Sequence, residues 1–128
     1  ERCRAAMAGQ LGRAMSARSE DAMGRLLRFE GALAAQERRF GELVAACAAG
    51  PRHDALVAAK NELAQMVGEL DKLQMAGIDS VMTGHLESGK DDVRAKRKEL
   101  TQRAEQVVAR IKELHRSIVD HLAKAPAL

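Results

Sequence analysis

From Asp91 to Ala123 apolar residues recur at helical spacing: Val93, Leu100, Ala104, Val107, Val108, Ile111, Leu114, Ile118 and Leu122. That spacing keeps one stripe on one side of a helix for roughly nine turns. Asp91 and Asp92 place negative charge where it favours a helix N-terminus, and Ser88 or Asp91 is positioned to cap it. Arg94, Lys96, Arg97 and Lys98 follow as a basic cluster on the first two turns. A helix this long with one apolar stripe must pack along its length, so the rest of the chain has to supply the partners.

Two further stretches do so. Residues 2–49 read as one helix, with Met7, Leu11, Met15, Ala22, Leu26, Phe29, Leu33, Phe40, Leu43 or Val44, and Cys47 in the seam. Arg18, Ser19 and Gln36 interrupt that seam. The glycines at 9, 12, 24, 31 and 41 each cost the helix up to about 1 kcal/mol against alanine, so it needs support from a neighbour. Gly50-Pro51 ends it, a left-handed cap followed by a residue that cannot continue a helix. Residues 53–75 form the second helix on Leu56, Ala59, Leu63, Met66 or Val67, Leu70 and Leu73. Residues 76–90 read as a loop of about fourteen residues, with one helical turn after Asp79, and so long a connection raises a functional question.

The chain has no Trp or Tyr and only two Phe, and it is rich in helix formers, which excludes a β-sandwich or barrel. The expected fold is all-α, an antiparallel three-helix bundle with an extended first helix. At 1.5 Å per residue the three helices measure roughly 70, 35 and 50 Å. Residues 1–25 are therefore expected to project beyond the bundle as a helical, coiled-coil-like extension. That extension would meet a helix partner, through self-association or upstream chain. Residues 22–123 form the bundle and 124–128 a frayed tail. Starting at Glu1 without Met or a signal-peptide pattern, the chain reads as part of something longer.

Several functions are excluded on chemistry. The net charge is +3, and residues 1–52 hold nine Arg and no Lys against six acids. No basic run is interleaved with aromatics, so nucleic acid is not an expected partner. No stretch of eighteen apolar residues exists, so no membrane span is expected. Cys3 and Cys47, on one predicted helix, stand about 66 Å apart and cannot pair. Two free thiols suit a reducing, cytoplasmic setting. The stretch from Gly84 to Asp91 approaches a phosphate-binding loop, but an acid replaces the hydroxyl and no strand precedes it. The four histidines lack ligand spacing, and no nucleophile has a base beside it. The reading is a non-enzyme without cofactor or metal.

What remains is charged surface. Asn61, Glu62, Gln65, Glu69 and Lys72, with Asp71 beside them, make a polar face on the second helix. Arg94, Arg97, Lys98, Thr101 and Glu105 make a more basic face on the third. On the bland reading the two faces simply exchange salt bridges, each worth under about 1 kcal/mol.

The run Glu69-Leu70-Asp71-Lys72-Leu73, a loop, then Val93-Arg94-Ala95-Lys96-Arg97-Lys98-Glu99-Leu100 resembles the BAG domain of heat-shock-protein-70 co-chaperones. Members end the second helix in Leu-Asp and open the third with Arg-x-x-Arg-Lys-x-Leu. The resemblance is to plant-type members and covers residues 22–120. It implies a co-chaperone whose second and third helices grip the nucleotide-binding domain of heat-shock protein 70 and promote nucleotide exchange. Asp71, Arg97 and Lys98 match the family's partner-binding residues. Glu62 stands one position from the earlier acid, where Asn61 occupies the strict site. Glu105 stands where many members carry Gln, and the loop before the third helix is longer than is common. Glu69, Arg94 and Thr101 complete the expected partner-binding set. The alternative is a non-catalytic helical scaffold segment of a larger cytoskeletal or adaptor protein.

Overall fold

A computed structural model describes residues 16–124. Three helices, α1 (Ala17–Ala48), α2 (His53–Lys72) and α3 (Lys90–Lys124), form an all-α antiparallel bundle with no strand among the described residues. The stripes read from the sequence converge. Leu26 and Leu33 of α1, Leu63, Met66 and Leu70 of α2, and Val93, Leu100 and Ile111 of α3 have no exposed surface. Burying each such side chain contributes about 1.5–3 kcal/mol. The α1–α2 corner forms as expected, with Gly50 at φ 71° and its N–H donating to the Cys47 carbonyl at 3.3 Å.

The first helix departs from expectation. Instead of running from Arg2, α1 begins at Ala17, because Ser16 is extended (φ −61°, ψ 156°) and caps it. The Ser16 hydroxyl accepts from the Ser19 N–H at 3.2 Å and lies 2.9 Å from the Ser19 hydroxyl. Ser19, which interrupts the apolar stripe, is fully buried in that capping node. Helix α1 is thus 32 residues against 35 for α3, about 48 and 53 Å long, and is not the extended element. Cys3, Met7, Leu11 and Met15 lie outside the described residues.

The connection at 76–90 explains where the N-terminal turns of α1 find cover. Helix α2 continues into a π-helical turn (Leu73–Gly77) and a 3-10 turn (Ile78–Ser80), leaving an irregular segment of only 81–89. Gly77 is buried against the Phe29 ring, and a methyl added there would meet the ring at 3.0–3.2 Å. Ile78, Val81 and Leu86, scattered in the sequence, are core residues. The backbone N–H of Ser16 donates to the Ser88 carbonyl at 3.1 Å, fastening the end of this segment to the start of α1. Residues 16–25 therefore lie within the bundle and do not project from it: Ala22 is 5% exposed. Ser88 contributes its carbonyl here and is not a side-chain cap for α3. Instead Gly89, at φ 88°, accepts from the Val93 N–H at 3.1 Å and starts that helix.

Candidate partner-binding surface

The polar residues that flank the core fall into two classes, those bonded to α1 and those that are not. On α3, Lys96 Nζ lies 2.8 Å from Glu30 Oε2. Arg103 reaches Glu30 at 2.9 Å and Glu37 at 2.6 Å. Glu99 of α3 adds a third carboxylate, 3.3 Å from Lys96. On α2, Glu62 and Glu69 receive Arg39 of α1 at 2.6 and 3.1 Å, and the Gln36 amide nitrogen donates to Glu69 at 2.7 Å. Every inter-helix ion pair among the described residues runs to α1, and none joins α2 to α3. The expected exchange of salt bridges between the α2 and α3 faces does not occur.

Titration follows these bonds. The hydrogen bond from Lys96, opposed by burial and aided by the charges of Lys96 and Arg103, holds the Glu30 carboxyl below its usual value. The same bond holds the Lys96 ammonium above its own. Glu62 lifts Arg39, and Glu37 lifts Arg103, each chiefly through a hydrogen bond and against burial.

The structure splits the polar face assigned to α2. Glu69 precedes the buried Leu70 and Asp71 follows it, so they leave the core about 100° to either side. Glu62 and Glu69 turn to α1, whereas Asp71 is exposed on the other side of Leu70. The basic cluster of α3 divides likewise. Lys96 turns to α1, while Arg97, one residue on, lies with its Nη2 3.5 Å from the Asp79 carbonyl. That is a contact at the outer limit of hydrogen bonding, enough to orient the guanidinium but weak. Arg94, Lys98, Thr101 and Glu105 continue that flank at spacings of three and four. The Arg94 Nε donates to the Thr83 hydroxyl at 3.3 Å. Arg94, Lys98 and Glu105 are exposed; Arg97 and Thr101 are half-buried.

Arg94, Arg97, Lys98, Thr101 and Glu105 thus line one flank of α3, Asp71 stands exposed on α2, and none of them forms an ion pair among the described residues. Sequence reasoning missed the α1 brace, although its signal was present. Glu30 and Glu37, Lys96 and Arg103, and Glu62 and Glu69 each repeat at seven residues, the spacing that returns a charge to one side of a helix.

Among the described residues no group of His, Cys, Asp and Glu is placed to hold a metal, and no helix is long and apolar enough to cross a membrane. The stretch from Gly84 forms turns, and its Lys90 opens α3. No family model, curated protein or solved structure matches the chain. Fold and surface together define a class, a braced three-helix bundle with one charged lateral flank.

Proposed function

We propose that the chain is a cytoplasmic co-chaperone that uses the α2–α3 flank to bind the nucleotide-binding domain of heat-shock protein 70 and promote nucleotide release. One observation carries the reading. The charges facing α1 are consumed in ion pairs, whereas Asp71 of α2 and Arg94, Arg97 and Lys98 of α3 form no ion pair among the described residues. An intramolecular brace on one side and an uncommitted charged ridge on the other suit a rigid body that acts on a partner. Arg97 leads, because a planar guanidinium takes a carboxylate bidentately and Lys cannot copy it. Asp71 serves as the opposite charge, and Lys98, Thr101 and Glu105 as the rim. Glu62 and Glu69, already held by Arg39, hold α2 in register and do not contact the partner directly. A bundle that binds the open chaperone better than the closed one shifts the population toward nucleotide release by that difference in affinity.

Stopped-flow release of a fluorescent ADP from the purified chaperone tests the reading. Acceleration by the chain supports it, and an unchanged rate with no detectable complex refutes it. The second reading, a helical scaffold segment without catalysis or chaperone contact, draws on the ion pairs that tie Glu62 and Glu69 into the bundle's own frame. It predicts the unchanged rate.

A further inference from the structure

Between the first turns of α1 and the segment 80–85 lies an open depression of about 450 Å³, whose lining includes none of the flank residues assigned above. One wall carries Arg18, Asp21 and Arg25; the other carries Val81, Met82 and His85. Arg18 and Arg25 are seven residues apart, so they share a side of the helix about 10.5 Å apart along its axis. Neither forms an ion pair among the described residues, whereas Arg39 and Arg103 each hold two or more carboxylates. Asp21 lies within one turn of both and bonds to neither. Met82, 66% exposed, lines the same depression and adds an apolar surface to it.

We infer that this depression docks an acidic amphipathic helix of another protein, with carboxylates at i and i+7 and an apolar side chain between them. Two carboxylates at that spacing stand 10.5 Å apart and meet Arg18 and Arg25. The intervening apolar side chain covers the exposed Met82, and His85 lines the same depression. Charge complementarity selects the occupant. A nucleic-acid strand is disfavoured, because Asp21 interrupts the basic track and no aromatic is present for base stacking. Asp21 opposes the first carboxylate to arrive and so tunes affinity downward.

The test titrates the full chain into a fluorescently labelled helical peptide carrying Glu at i and i+7 and Leu at i+4, with a Lys-for-Glu peptide as control. Binding of the Glu peptide alone, weakened by salt, is expected. The double variant Arg18→Ala/Arg25→Ala loses about tenfold in affinity, in line with two exposed charge pairs. Asp21→Asn gains about threefold, and Met82→Ser weakens binding. Arg97→Ala leaves this affinity unchanged, which separates the site from the chaperone-facing flank. Circular dichroism confirms that each variant keeps its helicity. The inference is overturned by equal binding of both peptides, by no binding, by an Asp21→Asn variant that binds no tighter, or by a single-stranded oligonucleotide that outcompetes the peptide.

Discussion

Replacing Gly77 with alanine places a methyl carbon 3.0 Å from Phe29 Cε1, 3.1 Å from Cδ1 and 3.2 Å from Cζ. Carbon pairs are most favourable at about 3.5–4.0 Å, so the ring or the π-helical turn must retreat by roughly half an ångström. Phe29 is only partly buried and packs against the core on one side, so the ring can retreat only toward its open side. Overpacking of this kind costs about 1–3 kcal/mol. The lower entropy of alanine in the unfolded chain returns about 0.4–1 kcal/mol. The net expectation is a loss of about 1–2 kcal/mol. Urea unfolding followed by circular dichroism reads it directly. A double-mutant cycle with Phe29→Leu isolates the cause, because removing the ring should recover about 1 kcal/mol of the Gly77→Ala penalty. A Gly77→Ala protein as stable as the parent, or effects that simply add, would refute the claim that ring-to-backbone contact shapes this turn.

Gly31, Gly41 and Gly68 are the opposite case: they are helical and exposed, with nothing within 4 Å of an added methyl. Each Gly→Ala change there should stabilise by about 0.5–1 kcal/mol in the same urea assay, and destabilisation would show an unseen close approach. Glu30 sets an acid dependence. Its carboxyl is held below the ordinary value of 4.5 in the folded state, so its contribution is present above that pH and lost as pH falls through the folded value. The unfolding midpoint should therefore drop on acidification below about pH 4.5, and Glu30→Gln should flatten that slope; an unchanged slope rejects the assignment. Gln36 carries a buried carbonyl oxygen without a partner while its nitrogen serves Glu69. Gln36→Leu removes a bond worth about 1 kcal/mol together with an unsatisfied acceptor costing about 1–3 kcal/mol. Stability should stay level or rise, and a loss beyond about 2 kcal/mol in thermal unfolding would contradict the orphaned acceptor.

The stripes of α2 and α3 were legible in the sequence because burial and periodicity agree there: Leu63, Met66, Leu70, Leu100 and Ile111 all reach the core. The corner was legible because Gly50 and Pro51 have local reasons to be there. The start of α1 was not, since apolar residues recur at helical spacing on both sides of Ser16. The cue was instead a capping serine followed by Glu20 and Asp21. The segment 78–86 was misread as loose because Ile78, Val81 and Leu86 obey no single period. They are buried by irregular backbone whose path depends on Phe29, Gly77 and Ser16, far apart in the chain. That Arg94, Arg97, Thr101 and Glu105 share a side of α3 was legible from their spacing. The α2 face was misassembled because sequence neighbours 69, 70 and 71 point three ways, and only the position of Arg39 tells which way is inward.

The affinity of the Arg97→Ala variant for the heat-shock-protein-70 nucleotide-binding domain, measured by calorimetry beside the parent chain, bears most directly on the proposed role of the α2–α3 flank. A central guanidinium that anchors an interface is worth about 2 kcal/mol or more, so the variant should bind at least about thirtyfold more weakly with its helicity unchanged. Asp71→Ala, which removes a more exposed charge than Arg97, should lose less. Equal affinity of parent and Arg97→Ala, or a parent that does not bind, contradicts the assignment.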